Sequence, residues 1–254
     1  MKKVILISID GVRPDALTNS KYLEKLKAIS AYSLKGKTAF PPVTLPCHVS
    51  MFHGVEPSRH GTTTNIYAPQ VRPINGLCEV LSMAGKTCAS FFSWNELRDL
   101  TKPASLIKCD YLSGEHYGFE YANEFVMKSS IAYLKETPVD FAFVYFGFPD
   151  EAGHQVGWMS EKYFYAIEHS LSCVFEVINA LSSEYDIIIT SDHGGHDRRH
   201  GDNIPEDMTI PLFIISENYG KGVEINDYCI IDIPKTIANM LGVTPCKDWE
   251  GKVL

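Results

Sequence analysis

Three apolar segments of this chain, rich in β-branched and aromatic residues, each run directly into an aspartate. The segments are VILISI before Asp10, FAFVYFGFP before Asp150 and DIIITS before Asp192. Continuous apolar runs of this kind are typical of strands that are buried on both faces, as in parallel sheets. Because ligands bind beyond the carboxyl ends of parallel strands, the three carboxylates should meet at one edge of the sheet if their strands are near neighbours.

Amphipathic segments with helical periodicity alternate with these apolar runs. Helices are predicted over residues 14–30, 73–84, 118–135, 160–183 and 231–241, and further strands in KTCASFF and IPLFII. The alternation predicts an α/β fold, with a mostly parallel central sheet and helices on both faces. Because the 254 residues contain no repeat or obvious linker, we expect a single domain over residues 1–254. The segment 94–117 is less periodic, and two interpretations stay open for it, a small lid or rim and an irregular surface excursion.

The charge and hydropathy of the chain restrict its partners. The formal net charge of −8 argues against a broad basic face for nucleic acid polymers or anionic membranes. No apolar stretch approaches the ~20 residues of a membrane span, and VILISI is too short for the core of a signal peptide. The seven cysteines form no CxxC pair, which favours reduced thiols. We therefore expect a cytoplasmic protein without membrane or nucleic acid partners, and make no prediction of its oligomeric state.

Histidines accompany two of the three aspartates. His154 lies four residues after Asp150, a spacing that places both side chains on one face of a helical turn. His193 follows Asp192 directly, and two glycines after it free the backbone to turn both side chains toward one centre. Carboxylate oxygens and imidazole nitrogens suit Zn²⁺ best, with Mn²⁺ as the alternative. Taken alone, the Asp150–His154 spacing is also compatible with a surface contact.

A third histidine completes the pattern. His200 and His196 compete for this place, and His200 is favoured because Gly201 allows a close approach of the backbone. His196 is then interpreted as a residue behind the ligands or at the surface. Six ligands in two sets of three would leave an open position at each of two metals, which is typical of catalytic sites. An isolated Asp10 would be interpreted as a turn or helix-capping residue.

A threonine in the segment PPVTLPCHVS is the candidate nucleophile. A free hydroxyl is a poor nucleophile at neutral pH, and metal coordination would lower the pKa of Thr44. A helix beginning near Pro46 would also favour a phosphoryl anion close to Thr44. Two alternatives stay open: Thr44 is simply a helix N-cap, or the nucleophile is Ser8, Ser50 or Cys47.

The order of these motifs resembles that of the alkaline phosphatase superfamily, and most closely the type I phosphodiesterase/nucleotide pyrophosphatase family. A strand ends in DG, TxP opens a helix, and DxxGH, SDHG and a late HG follow in the family order. One such motif would be weak evidence, whereas five in order are specific. The resemblance extends over essentially the whole chain and implies an alkaline phosphatase-like α/β/α sandwich.

The resemblance implies a role for each of these residues. One metal would be held by Asp10, Thr44, Asp192 and His193, and the other by Asp150, His154 and His200. Thr44 would form a covalent phospho-threonine intermediate, and Asn65, in HGTTTNIY, would donate to a phosphoryl oxygen. The catalytic residues would thus be Thr44 and Asn65, and the cofactors two divalent metal ions.

The sequence departs from the family pattern at three places. Leu45 stands where members that cleave nucleotides tend to carry a phenylalanine that stacks on the base. Cys47 stands where those members often carry asparagine. The segment between His193 and His200 is short, where larger members insert a long stretch. The departure at Leu45 weakens the expectation of a nucleotide substrate.

We therefore expect a two-metal hydrolase of small phosphorylated substrates, of the phosphodiesterase or nucleotide pyrophosphatase type. The first alternative is a phosphomonoesterase or phosphonate hydrolase with the same site. A cationic side chain near the phosphate would favour the monoester; Arg13, Arg59, Arg198 and Arg199 lie near the motifs, but the sequence does not place them. Further alternatives are a phosphoryl transferase and a non-catalytic metal-binding protein.

Overall fold

The computed structural model describes residues 3–254 of the chain, in which seven strands form one sheet. The strands are β1 (Lys3–Ile9), β2 (Ala31–Lys37), β3 (Cys88–Phe92), β4 (Lys108–Tyr111), β5 (Phe141–Phe146), β6 (Tyr185–Thr190) and β7 (Thr209–Ile215). The helices are α1 (Leu23–Ile29), α2 (Thr44–His53), α3 (Pro57–His60), α4 (Leu77–Met83), α5 (Gly114–Tyr117), α6 (Phe119–Glu136), α7 (Phe148–Val156), α8 (Glu161–Leu181), α9 (Pro205–Met208) and α10 (Ile233–Met240).

The strand order is β2-β7-β6-β1-β5-β3-β4, and β7 alone of these strands runs against the others. The predicted mostly parallel sheet is therefore confirmed. The central strand β1 pairs with β5 on one side, where Val4 faces Phe141, and with β6 on the other, where Ser8 faces Thr190. The three strands that lead into aspartates are thus direct neighbours, which was the condition for their carboxylates to meet.

Helices cover both faces of the sheet, as predicted. Along β1, Val4 and Leu6 pack into one core, whereas Ile5 and Ile7 pack into the other, because successive side chains of a strand point to opposite faces. The first core includes residues of α2, α4 and α10, and the second includes residues of α1, α6 and α8. Both faces of β1 are therefore apolar, which explains its uninterrupted apolar sequence.

Two of the predicted helices are shorter than expected. The prediction of one helix over residues 14–30 is wrong: a 3₁₀ helix at Asp15–Asn19 and the α-helix α1 are separated by an extended Ser20 (φ −79°, ψ 134°), whose hydroxyl accepts from Tyr22 N. The helix predicted over residues 73–84 begins only at α4, because Glu79 caps its N-terminus by accepting from Gly76 N at 2.7 Å.

The helices predicted over 118–135 and 160–183 correspond to α6 and α8, and the last one corresponds to α10 after a short 3₁₀ turn. The segment 94–117 contains more regular structure than its periodicity suggests, with a 3₁₀ helix at Asn95–Leu100, the edge strand β4 and the short helix α5. Among the described residues, no helix is both long and apolar enough to cross a lipid bilayer.

Candidate active site

The three aspartates lie together at the carboxyl edge of the sheet. Asp10 follows β1, Asp192 comes just after β6, and Asp150 lies in the first turn of α7, just after β5. Asp10 and Asp192 are buried, and the Asp150 side chain is 16% exposed. Gly11 has a φ of 70°, and a Cβ atom there would lie 2.9 Å from the Cα of Asp150. Glycine therefore allows the chain after β1 to pass close to α7.

His193 lies between two of these carboxylates. Its Nε2 atom is 3.4 Å from Asp10 Oδ1 and 3.3 Å from Asp192 Oδ2. The hydroxyl oxygen of Thr44 is 3.1 Å from the same nitrogen. The structure thus brings together the four residues that the resemblance implies for one metal.

His154 and His200 approach the remaining aspartate. The distances from their Nε2 atoms to the carboxylate oxygens of Asp150 are 3.4 Å and 3.8 Å, respectively. One ligand atom from each of these three residues lies within 4.8 Å of the others, a spacing that suits a shared metal ion. The rings of His193 and His200 stack with their centroids 3.9 Å apart, so the two groups of ligands adjoin.

All three histidines present the same ring nitrogen to the carboxylates. In each, Nδ1 faces a backbone carbonyl, to which it can donate only when it carries the proton. The pairs are His154 with Arg198 O at 3.0 Å, His193 with Gly194 O at 2.8 Å and His200 with Pro42 O at 2.8 Å. In the neutral ring, the form that binds a metal, the lone pair then lies on Nε2, on the side of the aspartates. This is the arrangement that orients histidine for metal coordination in proteins.

The three carboxylates fit a site for divalent cations. Asp10 Oδ1, Asp150 Oδ1 and Asp192 Oδ2 are buried without a hydrogen-bond partner. Burial, followed by repulsion from Asp192, raises the pKa of Asp10 well above its usual value. Burial and repulsion from Asp150 raise the pKa of Asp192 to about 8. A bound cation would remove both penalties, because it would pair with the unpartnered oxygens and balance their charge.

Thr44 is the first residue of α2 and does not act as its N-cap. Val43 takes the N-cap position in an extended conformation (φ −130°, ψ 142°), and α2 begins two residues earlier than expected from Pro46. The Thr44 side chain is instead turned toward His193, and the residue is 4% exposed. Its hydroxyl therefore lies at a helix N-terminus, where the macrodipole favours an anion.

The rival nucleophiles are buried elsewhere. The Ser8 hydroxyl pairs with His48 Nε2 at 3.0 Å, and the Ser50 hydroxyl pairs with His60 Nε2 at 3.0 Å. Burial, followed by the charge of Asp192, raises the pKa of Cys47, so its thiol stays protonated. None of the three candidates lines the cavity that contains Thr44.

Asn65 lies directly beside the start of α2. Its side-chain oxygen accepts from Leu45 N at 3.0 Å, which leaves its amide N–H groups for a ligand. The side chains of Leu45 and Cys47 are buried in the core that includes α2. The two departures from the family pattern therefore change the packing under the site and provide no surface for a nucleotide base.

A cavity of about 190 Å³ opens above these residues. Asp10, Thr44 and Asp150 line it together with Asn65 and both histidines of the second group. The rest of its lining comes from Trp94, Glu115, Phe119, Tyr145, Gly147 and Glu151. Both ends of the segment 94–117 therefore contribute to the rim, through Trp94 and Glu115.

None of the four arginines near the motifs lines this cavity. The Arg13 guanidinium pairs with Asp15 at 2.6 Å and donates to Gly195 O. The remaining three lie elsewhere: Arg59 donates to Arg72 O, Arg199 pairs with Asp202, and Arg198 lines a separate cavity. Among the described residues, the lining of the Thr44 cavity includes neither arginine nor lysine.

Two residues that contact the site were not predicted from the sequence, Tyr145 and His48. The Tyr145 hydroxyl donates to Asp10 Oδ2, and His48 Nδ1 donates to Thr44 O at 2.8 Å and lies 3.4 Å from Asp192 Oδ2. His48 follows Thr44 by four residues, so the spacing of one helical turn was a usable signal. Tyr145 is one aromatic residue within a buried strand, and the local sequence contains no sign of its contact.

A comparison with protein families decides the assignment. The family model described as type I phosphodiesterase / nucleotide pyrophosphatase matches residues 4–208. The chain belongs to this family. The resemblance inferred from the five ordered motifs is therefore confirmed.

Individual members and structures agree with the family. The human ectonucleotide pyrophosphatase/phosphodiesterase family member 7 is 26% identical over an alignment of 231 positions that covers 79% of this chain and 50% of that protein. The chain thus spans about half the length of this relative. The fold is similar to that of human ectonucleotide pyrophosphatase/phosphodiesterase 5, with a TM-score of 0.82, 15% identity and coverage of 99% of this chain and 97% of that chain. The phosphonate monoester hydrolase of Agrobacterium radiobacter has a TM-score of 0.77 and 15% identity, with 100% of this chain and 76% of that chain covered.

When its candidate ligands hold no metal, the protein should lose stability as pH rises from about 6.5 to 8. The folded state holds a proton on Asp192 up to pH about 8, whereas the unfolded state releases it near 3.8. The pKa of His154 is raised to about 9, first by its hydrogen bond to Asp150, and adds the same sign of dependence. For Asp192 alone, the free energy of unfolding should fall by up to about 1.4 kcal/mol per pH unit.

The measurement is denaturant unfolding of the chelated protein at several pH values across this window. The same protein loaded with Zn²⁺ is the control, and there the fall should disappear because the metal keeps Asp192 ionised in the folded state. A chelated protein that becomes more stable toward pH 8 would contradict the expectation.

Proposed function

We propose that this chain is a metal-dependent phosphoric ester hydrolase that cleaves phosphodiesters or pyrophosphates with Thr44 as its nucleophile. One observation supports this most strongly: the Thr44 hydroxyl lies at the start of α2, beside three aspartates and three histidines with converging ligand atoms. The family assignment independently supports phosphoester hydrolysis.

The ligand sets that the family resemblance implies are compatible with this geometry. Asp10, Thr44, Asp192 and His193 would hold one divalent ion, and Asp150, His154 and His200 would hold the other. Zn²⁺ is the preferred ion and Mn²⁺ the alternative, because the donors are carboxylate oxygens and imidazole nitrogens. When bound, the ions would lower the pKa of the Thr44 hydroxyl and offset the charge on the phosphoryl oxygens.

The residues of the chain supply orientation and hydrogen bonds for two successive displacements. In the first, the Thr44 oxygen forms a bond to phosphorus while the bond to the leaving-group oxygen breaks. In the second, water attacks the phosphoryl-threonine and Thr44 regains its hydroxyl. The bond from Leu45 N holds Asn65 so that its amide donates to a phosphoryl oxygen, where charge develops in both steps.

The cavity lining favours diesters over monoesters. A monoester dianion carries one more negative charge than a diester, and beyond the proposed metal ions and their histidines the described lining offers neither arginine nor lysine to balance it. Two acidic residues of the lining, Glu115 and Glu151, would instead repel the extra charge. In general, two unit charges about 8 Å apart interact by about 2 kcal/mol at an effective dielectric constant of about 20, and solvent weakens the interaction for an exposed residue such as Glu115. The observed placement of the four arginines thus argues against the monoester alternative.

We predict that the enzyme, stripped of metal and refilled with Zn²⁺ or Mn²⁺, hydrolyses bis(p-nitrophenyl) phosphate at least about tenfold faster than p-nitrophenyl phosphate, as judged by kcat/KM. Each substrate incubated with metal but no enzyme gives the background rate. Equal or faster monoester hydrolysis would replace the proposal with a phosphomonoesterase. A phosphonate monoester as third substrate tests the phosphonate hydrolase alternative, which one structural neighbour makes relevant.

Two further proposals concern the chain as a whole. We propose that residues 1–254 act as one catalytic domain and that the segment 94–117 forms part of the rim, since Trp94 and Glu115 line the cavity. The alternative of another class, a non-catalytic metal-binding protein, would be favoured by two bound metals without turnover on any phosphate ester. Transfer products formed in the presence of acceptor alcohols would favour a phosphoryl transferase.

A further inference from the structure

A second cluster of ionisable side chains, in the loop between β6 and α9 and in α9 itself, lies behind the candidate ligands. His196 Nδ1 is 2.7 Å from Asp207 Oδ1, and Asp207 is completely buried. The other carboxylate oxygen of Asp207 accepts from Asp202 N at 2.9 Å. His196 Nε2 accepts from Arg199 Nε at 3.1 Å, because a guanidinium N–H can only donate. The ring proton then lies on Nδ1, which donates to Asp207.

This cluster does not need a metal ion of its own. His196, Asp202 and Asp207 offer ligand atoms within 4.8 Å of one another. However, the guanidinium of Arg199 already pairs with Asp202 Oδ2 at 3.1 Å and with His196 Nε2. The cluster thus already contains a cation, and both oxygens of Asp207 have partners. Its geometry points to a structural task.

The cluster closes a tight turn. His196 N donates to Arg199 O and Arg199 N donates to His196 O, both at 2.9 Å. Between them, Asp197 has a φ of 45°, in the left-handed region. The turn is therefore fixed from inside by its backbone and from outside by the bond from His196 to the buried Asp207.

This turn also positions two of the candidate metal ligands, His154 and His200. Arg198 O, at its tip, faces His154 Nδ1 at 3.0 Å and so sets the tautomer of that histidine. His200 follows the turn directly, and its ring is held by Pro42 O. Asp197 O also accepts from Trp158 N at 2.7 Å, next to the end of α7. Both histidines that approach Asp150 thus depend on the position of this one turn.

We propose that His196 is a positioning residue for the metal held by Asp150, His154 and His200, an inference that rests on the proposed two-metal site. Its bond to Asp207 holds the turn. The turn holds the ring of His154 through Arg198 O and sets the position of the backbone from which His200 extends. The second ligand set should therefore depend on His196, whereas the set around Asp10, to which residues 196–199 make no described hydrogen bond, should change little.

The test is a Zn²⁺ titration of the metal-stripped full chain against a chromophoric chelator, which resolves the binding steps. The step lost in Asp150→Ala identifies the set that contains Asp150. His196→Ala should weaken that step roughly 10–100-fold, the usual effect of removing a residue behind a metal ligand, and leave the other step within about 3-fold.

Two amide variants separate positioning from general packing. His196→Asn places an N–H donor near the position of Nδ1 and should restore the affinity to within about 3-fold, whereas His196→Gln places it near Nε2 and should not. If His196→Ala fails to fold, this pair alone decides, with circular dichroism as the check on folding.

Three outcomes would overturn the inference: both steps weaken equally, neither step changes, or the wild type shows a third step that His196→Ala removes, which would make the cluster a metal site. Hydrolysis plays no part in this titration. A chain that binds two metals in the expected way but cleaves no phosphate ester would therefore refute the proposed function and leave this inference intact.

Discussion

Replacing Thr44 with alanine is expected to lower kcat/KM for bis(p-nitrophenyl) phosphate by roughly 10³-fold or more, as removal of other catalytic nucleophiles does. In the proposed mechanism the hydroxyl at the start of α2 forms the bond to phosphorus, and no other hydroxyl or thiol considered as a nucleophile lines the cavity. The measurement is the steady-state rate of Thr44→Ala and wild type, both loaded with the same metal.

Two variants make this experiment specific. Thr44→Ser keeps a hydroxyl at the same place and should retain activity within about tenfold of wild type. Ser50→Ala removes a rival nucleophile from the same helix and should cost about 1 kcal/mol of stability, through the lost bond to His60, with little change in rate.

The covalent intermediate offers an independent check. Acid quenching of wild type during turnover, followed by mass spectrometry, should find a phosphoryl group with one remaining nitrophenyl ester on the peptide that contains Thr44. Full activity of Thr44→Ala, or an adduct on another residue, would exclude the proposed nucleophile.

Removal of the metal ions is expected to reduce hydrolysis by on the order of 10³-fold or more, because an alcohol with an unperturbed pKa is a poor nucleophile at neutral pH. Zn²⁺ or Mn²⁺ should restore the rate. Ca²⁺ should not, since it prefers six to eight oxygen ligands and this site offers three imidazoles. The measurement is activity after chelation and after refilling with each ion, together with the bound metal content.

Two substitutions connect this effect to the aspartates. Asp192→Asn should lower both metal content and activity, because an amide cannot match the charge of the buried carboxylate. Asp227→Asn is the matched control, since Asp227 is exposed and its positive φ of 56° suits asparagine equally well. Chelated enzyme that keeps its full rate would contradict the metal-dependent mechanism.

The candidate site was predictable largely because its residues follow patterns that are local in the chain. Asp10, Asp150 and Asp192 each follow a strand, and parallel strands bring their carboxyl ends to one edge. The wrong prediction of one long helix also has a local cause. The helix predicted over residues 14–30 is interrupted at Ser20, whose side chain bonds the backbone locally and competes with the helix. Apolar periodicity does not reveal such competition.

By itself, the sequence determined the α/β class and the mostly parallel sheet, because burial on both faces and helical amphipathicity are visible in the order of apolar residues. The sequence motifs supplied the candidate site residues, and their resemblance to a family supplied the proposed roles. Only the tertiary structure decided that β5, β1 and β6 are neighbours, that the four arginines lie outside the cavity and that His196 bonds Asp207 and not a metal ligand. These features depend on the order of the strands and on the orientation of side chains, and both are set by the packing of the whole chain.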